Sequence, residues 1–262
     1  MPTSDKPQKI TLGGKIRFRV TNAIRTALLS CSDLNAVLSS GITIQLDSYA
    51  DWIIYNEIFV DGEYKNAVEF YFSRLLNASR PNFVDLGANV GFFTLYLIDA
   101  LRQRNASAQF RIKAVEGSPT IYRDLQSRIS GQARSGEQIE LYNGLLGKRS
   151  GSGTLFEFGY HAMASVTPRR FSRGVVVPFL DLDAICSDFE SIDLLKCDIE
   201  GAEEALLSNW RSVFQKTKCA VFELHPQDCD TNACIVMLTE LGFSNRKVLR
   251  SGKASSIELF WR

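Results

Sequence analysis

Hydrophobic and polar positions divide this 262-residue chain at about residue 80. In the first part, apolar residues recur mainly at helical spacing, and one short stretch alternates as in a strand. Arg80-Pro81 then ends the last helical pattern. The pattern predicts a helical cap over residues 1–80, which begins with a loose polar arm at residues 1–15. The helical stretches are Phe18–Leu38, Ser48–Phe59 and Glu63–Leu76, and the alternating stretch is Ile42–Leu46.

After Pro81 the pattern changes to strands that alternate with helices. This alternation is typical of an α/β domain with a doubly wound, mostly parallel sheet, which we expect over residues 81–262. The predicted strands are Phe83–Leu86, Phe110–Val115, Ile139–Tyr142, Ile192–Cys197 and Cys219–Leu224. Near the end, Arg246–Leu249 and Ser256–Trp261 predict an antiparallel C-terminal hairpin at one edge of the sheet.

A glycine- and serine-rich insert at residues 147–175 interrupts the alternation. Within and just after it, Thr154–Phe158 and Val175–Phe179 predict a further hairpin. The segment between these strands carries His161 and three arginines, Arg169, Arg170 and Arg173. The arginines suit a solvated loop, or a contact with a phosphorylated or acidic ligand.

Composition narrows the choice of partners and compartment. Thirty Lys and Arg residues against 29 Asp and Glu residues leave a net charge of +1, which gives no general attraction to nucleic acid or a membrane surface. The longest apolar run, Val90–Leu101, is interrupted by Asp99 and is too short to span a bilayer. Residues 1–30 lack the apolar segment of a signal peptide, and the six cysteines form no C-x-x-C pair. We therefore expect a cytoplasmic protein without a membrane span.

The first predicted strand of the sheet leads into a glycine-bounded turn. Asp85 lies near the end of the strand, Gly87 and Gly91 bound the turn, and an apolar helix follows. This strand, loop and helix bring the backbone close to a nucleotide-like ligand at the edge of a sheet. The spacing is not that of the dinucleotide motif G-x-G-x-x-G. A carboxylate before the first glycine suits the ammonium, sulfonium and ribose hydroxyls of S-adenosylmethionine better than a pyrophosphate.

Four acids lie at or just after predicted strand ends, which share one edge of an open α/β sheet. They are Asp85, Glu116, Asp198 and Glu223. Glu116 ends the second strand, where a carboxylate commonly binds a ribose diol. Asp85 could instead cap a turn, and Glu116 could be a solvated loop acid. Two acids on adjacent strands that flank a glycine loop favour a binding site.

Three segments resemble the FkbM family of class I S-adenosylmethionine-dependent methyltransferases. Val84–Thr94 resembles the first motif of the class in its Gly-Ala-Asn-x-Gly-x-x-Thr form. Ala114–Pro119 resembles the ribose-binding segment, although Gly117 stands where the family usually has proline. Asp193–Glu203 resembles the lysine–aspartate–glutamate–glycine signature. The resemblance extends over Asn82–Leu241 and implies a Rossmann-like class I methyltransferase fold.

The resemblance implies transfer of a methyl group from S-adenosylmethionine to a hydroxyl, commonly of a saccharide or a polyketide-type natural product. It places the loop against the methionine portion, Glu116 on the ribose and the end of the third strand near the adenine. The cofactor-binding residues implied are Asp85, Gly87, Ala88, Asn89, Gly91, Thr94, Glu116, Gly117, Ser118, Asn143, Gly144, Leu145 and Asp198. From the cap, Glu63 and Tyr64 beside Gly62 could also contact the methionine end or the acceptor, or could belong to a core helix with a solvated face.

A hydroxyl must lose its proton as it is methylated, so the site needs a base or a metal ion. His225 and Asp198 are the leading base candidates, with Glu200 and Glu223 beside them. The same four side chains could hold a hard cation such as magnesium, or form a hydrogen-bonded acid cluster without an ion.

Other candidates for chemistry are weaker. Lys196 is expected to pack inside its strand with its amine paired to a neighbouring acid. A metal role for Cys229 and Cys234 is disfavoured because histidine co-ligands are scarce.

Three other functions remain open at this stage. A nucleic-acid methyltransferase is disfavoured by the net charge and by Asp198–Gly201, which stands where an Asn/Asp-Pro-Pro-aromatic motif would lie. A non-catalytic S-adenosylmethionine-binding protein would share the loop but transfer nothing. An NAD-dependent oxidoreductase is the weakest of the three.

Overall fold

The computed structural model describes residues 34–76, 78–157, 164–165, 173–252 and 254–262. The strands are β1 (Asn35–Val37), β2 (Thr43–Gln45), β3 (Asn82–Leu86), β4 (Phe110–Glu116), β5 (Glu137–Asn143), β6 (Ser152–Glu157), β7 (Ala164–Ser165), β8 (Arg173–Pro178), β9 (Leu194–Cys197), β10 (Cys219–Leu224), β11 (Asn245–Ser251) and β12 (Ser256–Trp261). The helices are α1 (Tyr49–Tyr55), which continues into a π-helical turn at Asn56–Val60, α2 (Lys65–Arg74), α3 (Phe92–Arg104), α4 (Pro119–Ile129), α5 (Leu182–Ile185), α6 (Glu203–Asn209), α7 (Arg211–Gln215) and α8 (Thr231–Glu240).

A seven-stranded sheet in the order β11-β12-β10-β9-β3-β4-β5 forms the centre of the fold. The five strands from β10 to β5 are parallel, and β12 runs antiparallel to both β10 and β11. The predicted doubly wound sheet and its antiparallel C-terminal hairpin are therefore confirmed. Because β12 pairs with β10, the loop that joins β11 to β12 lies near the end of β10.

Hydrophobic cores cover both faces of the sheet. Successive side chains of a strand point to opposite faces. Accordingly, Phe83 of β3 packs in one core, while Val84 and Leu86 pack in the other. All five residues of β3 are buried, as expected of a central parallel strand with helices on both sides. Burial on both faces leaves the strand ends as the place where polar side chains can gather.

The segment before β3 contains a β-hairpin as well as helices. Ser48 caps α1, accepting from the Asp51 amide while Asp51 accepts from the Ser48 amide, so the helix expected from Ser48 is confirmed. The expected helix through Leu38 is wrong for its last residues, because β1 pairs antiparallel with β2 there. A turn closed by Gly41, which has a φ of +86°, makes this pairing possible. The rest of that stretch and the polar arm lie outside the described residues.

The insert forms a small antiparallel sheet in the order β7-β6-β8. The predicted pairing of its two strands is confirmed, with Leu155 opposite Val175. A bridge between Leu145 and Phe179 connects this sheet to the end of β5. His161, Arg169 and Arg170 lie outside the described residues, and Arg173 is exposed.

No helix in the described ranges is long and apolar enough to cross a membrane. Cys186, Cys197 and Cys219 are buried free thiols, as expected of small apolar side chains in strands and helices of the core.

A buried ion pair joins α3 to β5, the strand at the parallel edge of the sheet. Arg102 donates to both Glu137 oxygens, at 2.8 and 2.5 Å, and the two side chains are 3% and 1% exposed.

We expect Arg102→Met to lower the free energy of unfolding by about 3–5 kcal/mol, because it leaves a buried carboxylate without its partner. Chemical denaturation measures this change. Arg123→Met, at an exposed position of α4, should stay within about 0.5 kcal/mol of wild type, and equal effects of both substitutions would contradict the prediction.

Candidate active site

The glycine loop between β3 and α3 packs tightly against two neighbouring strands. The amides of Gly87 and Ala88 donate to the Val115 carbonyl at 3.0 and 2.9 Å. Gly87 has a φ of +75°, and a Cβ atom there would overlap the carbonyl oxygen of Asp198. Only glycine therefore permits this approach of the loop to the end of β9. Gly91 has a φ of +88° and begins α3.

A buried charge cluster lies beneath the loop. The Lys196 amine donates to the Gly87 carbonyl at 2.6 Å and lies 3.5 Å from carboxylate oxygens of both Asp85 and Asp198. Thr94 donates to Asp85 at 2.7 Å. Burial opposes the charge on Lys196, but the two carboxylates raise its pKa and keep it protonated. The expected pairing of Lys196 is confirmed, and Asp85 and Thr94 are buried supports of the loop.

Glu116 connects the loop to the end of β4. Its two oxygens accept from the amides of Ser118 and Asn89 at 2.7 and 2.8 Å. Burial raises the pKa of Glu116 to about 7, although these two amides oppose the shift. Ser118 itself is fully buried, caps α4 and donates to Glu157 of the insert. The amide of this buried serine therefore helps to fix the orientation of the Glu116 carboxylate.

The end of β5 completes the inner wall of the site. The Asn143 side chain donates to the carbonyls of Glu116 and Gly117 at 2.8 and 3.2 Å. The Gly144 amide also donates to the Glu116 carbonyl, at 3.1 Å. A side chain at Gly144 would run into Leu180. These contacts hold the ends of β4 and β5 together.

A cleft that is partly open to solvent lies between these strand ends. Apolar side chains from α4, the insert and the loop after β9 line it together with polar groups from the strand ends. Of the expected cofactor residues, the lining includes Gly87, Asn89, Glu116, Gly117, Gly144, Leu145 and Asp198. Glu63 lies outside this lining, on the side of the site next to β11.

A cluster of two carboxylates and one imidazole lies at the end of β9 and β10. Ligand atoms of Asp198, Glu200 and His225 all lie within 4.8 Å of one another. Nε2 of His225 is 3.9 Å from Glu200, while Nδ1 is 3.5 Å from the fully buried carboxylate of Glu203. Asp198 and Glu200 also line the cleft, so this acid–histidine cluster borders it.

Charge within the acid–histidine cluster shifts the protonation of its members. Burial and the negative charge of Asp198 raise the pKa of Glu200 to about 7. Burial lowers the pKa of His225, but the carboxylates of Glu203, Asp198 and Glu200 outweigh it and raise the value to about 9. Without another cation, the imidazole is therefore positively charged at neutral pH.

Glu223 is held by three groups from separate parts of the chain. Tyr64 donates to Glu223 Oε2 at 3.3 Å, and Ser255 donates to Oε1 at 2.5 Å. Arg250 lies 3.6 Å from the same carboxylate and forms an ion pair with Glu63. These contacts join the segment before α2 to the C-terminal hairpin beside the acid–histidine cluster, where Glu223 lies 3.9 Å from His225.

The structure brings together most of the residues expected from the sequence, but it adds several that the pattern did not indicate. In the sequence, Glu203 is only the last residue of the segment Asp193–Glu203, and nothing there indicates a contact with His225. Arg250 and Ser255 reach Glu223 only because β12 inserts between β10 and β11. No local motif marks such a long-range pairing.

The chain matches the family profile described as "Methyltransferase FkbM domain" over residues 85–244. A comparison with curated protein sequences finds no significant match.

Among solved structures, the fold is similar to the N-terminal domain of EvdMO1 with SAH bound, at 14% identity and a TM-score of 0.48, over 98% of this chain and 99% of that one. The same domain in the presence of SAH and D-fucose matches at 12% identity and a TM-score of 0.46, with the same coverage. MNMC2 from Aquifex aeolicus matches at 12% identity and a TM-score of 0.45, over 87% of this chain and 69% of that one.

Gly87→Ala tests the close approach of the loop to β9. We expect it to abolish binding of S-adenosylhomocysteine and to destabilise the fold by more than the 1–2 kcal/mol or so of left-handed backbone strain, because the new Cβ atom overlaps the Asp198 carbonyl. Gly131→Ala is the matched control, since Gly131 has the same φ of +75° with no neighbour within 4 Å of its Cβ position. Calorimetric titration and thermal unfolding measure both effects. Equal results for the two variants would contradict the prediction.

Proposed function

Because this chain belongs to the FkbM family of S-adenosylmethionine-dependent methyltransferases, as the match over residues 85–244 shows, we propose that it methylates a hydroxyl of a saccharide or a polyketide-type natural product. The observation that carries the proposal is the acid–histidine cluster at the border of the cleft. Its two carboxylates would accept the proton of a hydroxyl that meets the methyl group there, whereas the imidazole is already protonated without another cation. A cytoplasmic location stays a prediction.

We assign the cofactor to the cleft with its parts in a defined order. Glu116 accepts hydrogen bonds from the ribose hydroxyls, because both of its oxygens are already fixed by backbone amides. The loop from Gly87 to Gly91 faces the methionine portion. The adenine lies among Ile121, Leu145 and Leu155, which give the cleft its apolar side.

The transfer requires little covalent help from the protein. The acceptor oxygen provides the electron pair of the new O–CH3 bond, and the electrons of the S–CH3 bond return to sulfur, which leaves a neutral thioether. The hydroxyl proton passes to a carboxylate of the acid–histidine cluster as the new bond forms. The contribution of the chain is to align the oxygen with the methyl group and to receive this proton.

The surroundings of the acid–histidine cluster suit an acceptor rich in hydroxyl groups. Glu223 lies 3.9 Å from His225, and the partly exposed Arg250 beside it adds hydrogen-bond donors. Several carboxylates close to one another would repel a phosphate backbone, which speaks against the nucleic-acid alternative. We propose that residues 1–80 and the insert at 147–175 help to select the acceptor.

The pKa of Glu116 predicts a pH dependence of cofactor binding. Its raised value of about 7 means that the carboxylate is lost to protonation as the pH falls through 7. Lys196 and Asp198 are the nearest charged groups and act in opposite directions on this pKa. Since a carboxylate is needed to accept from both ribose hydroxyls, we expect the affinity for S-adenosylhomocysteine to fall about tenfold per pH unit below 7.

Calorimetric titration between pH 5.5 and 8.5 measures this dependence. Glu116→Gln should bind more weakly than wild type at pH 8 and show a flat profile. A sloped profile in the variant, or a flat one in wild type, would assign the dependence to another group.

A product screen tests the reaction itself. The chain is incubated with S-adenosylmethionine and a panel of sugars, glycosides and polyketide-like alcohols, and mass spectrometry detects the gain of one methyl group. We expect methyl ether products from wild type and, at subsaturating S-adenosylmethionine, far less from Glu116→Ala, whose cofactor affinity should fall by about 10–150-fold with the loss of its hydrogen bonds. Glu190→Ala, at an exposed position, is the control and should retain activity.

In this screen, methylation of nucleic acid alone would contradict the proposal. Binding of the cofactor without transfer to any hydroxyl would favour a non-catalytic protein.

A further inference from the structure

We infer that Asp198, Glu200 and His225 form a binding site for one divalent transition-metal ion. Their ligand atoms lie within 4.8 Å of one another, so a single ion can contact all three. The three residues come from the end of β9, the loop after it and the residue after β10. This inference goes beyond the proposed methyl transfer, on which only the role of the ion depends.

A buried carboxylate behind the histidine is the second observation that indicates an ion. Glu203 is 0% exposed, and its Oε1 lies 3.5 Å from Nδ1 of His225. Its other oxygen, Oε2, and Nδ1 of His225 are both buried and have no other hydrogen-bond partner of good geometry among the residues that the structure describes. Metal-binding histidines usually donate from their second nitrogen to a carboxylate of this kind, which fixes the ring and its tautomer. Nε2 is then left to face Glu200 and the ion.

The neighbouring lysine and arginine are shared with carboxylates outside the acid–histidine cluster. Lys196 contacts one oxygen of Asp198, but it also contacts Asp85 and the Gly87 carbonyl. Arg250 lies near Glu223 but pairs with Glu63. An ion would add positive charge to this cluster in place of the proton that His225 otherwise carries.

The donor atoms indicate which ions the site prefers. Two carboxylates suit Mg²⁺, Ca²⁺ and Mn²⁺, whereas an imidazole suits Zn²⁺, Fe²⁺ and other transition metals. The mixed set favours an ion that accepts both kinds of ligand, such as Mn²⁺, over Ca²⁺. This differs from the magnesium site that the sequence alone suggests.

The position of the ion gives it a role in the proposed reaction. Asp198 and Glu200 line the cleft, so an ion bound to them can also contact the acceptor oxygen. A bound divalent ion lowers the pKa of a coordinated hydroxyl. The proton that methyl transfer must remove would then leave a more acidic group and pass to the other oxygen of Asp198 or Glu200, because each carboxylate offers the ion one ligand atom.

Binding of Mn²⁺ to the full chain saturated with S-adenosylhomocysteine tests the site without reference to activity. Calorimetry should give one Mn²⁺ per chain, with weaker binding of Ca²⁺. Pulsed electron paramagnetic resonance should show modulation from an imidazole nitrogen, and His225→Gln should abolish it. Glu203→Gln should weaken Mn²⁺ binding by about 10–100-fold. Glu204→Gln, at an exposed position of the same helix, should leave it unchanged.

Each other outcome overturns the inference or one part of it. A chain that binds S-adenosylhomocysteine but no Mn²⁺ has no such site. Binding that survives both His225→Gln and Glu203→Gln belongs to another place on the surface. A methylation rate unchanged by chelation removes the role of the ion in the reaction. Conversely, Mn²⁺ binding with these signatures but without any methyl transfer would overturn the proposed function and leave the metal site intact.

Discussion

The buried ammonium group of Lys196 is the interaction on which the rest of the site depends. It contacts the carboxylates of Asp85 and Asp198 and the carbonyl of Gly87. A buried charge that loses its partners costs several kcal/mol, so these groups must stay together. Since they belong to two adjacent strands and the loop that follows one of them, the amine fixes the positions of Gly87 and Asp198, which line the cleft.

The glycine loop is held on its other side by Glu116, which accepts from the Asn89 amide. Lys196 thus holds the loop from beneath and Glu116 holds it from the side. Gly87 lets the loop approach the Asp198 carbonyl without a clash. These contacts on two sides leave the loop little freedom to move. A cleft of this kind is preorganised for one ligand geometry, which lowers the cost of ordering the chain on binding.

The side of the site that we propose for the acceptor is built differently from the side that we propose for the cofactor. Its polar groups come from the segment before α2, from the ends of β9 and β10 and from the C-terminal hairpin. Ion pairs such as Glu63 with Arg250 hold them in place. Asp198 belongs to both sides, because it contacts Lys196 beneath the loop and lies in the acid–histidine cluster.

The sequence by itself determined the parallel sheet, the glycine loop and the acids at the strand ends. Each depends on local periodicity, or on the rule that parallel strands end at one edge. Residues such as Glu116 and Asp198 could be found in this way. The strand β1 at Asn35–Val37 could not be found, because it is too short to show a period and its pairing with β2 overrides the apparent helical spacing.

Only the tertiary structure placed Glu203 behind His225 and brought Arg250 and Ser255 to Glu223. These contacts join residues far apart in the chain, and no local pattern records which distant side chain a fold will place beside another.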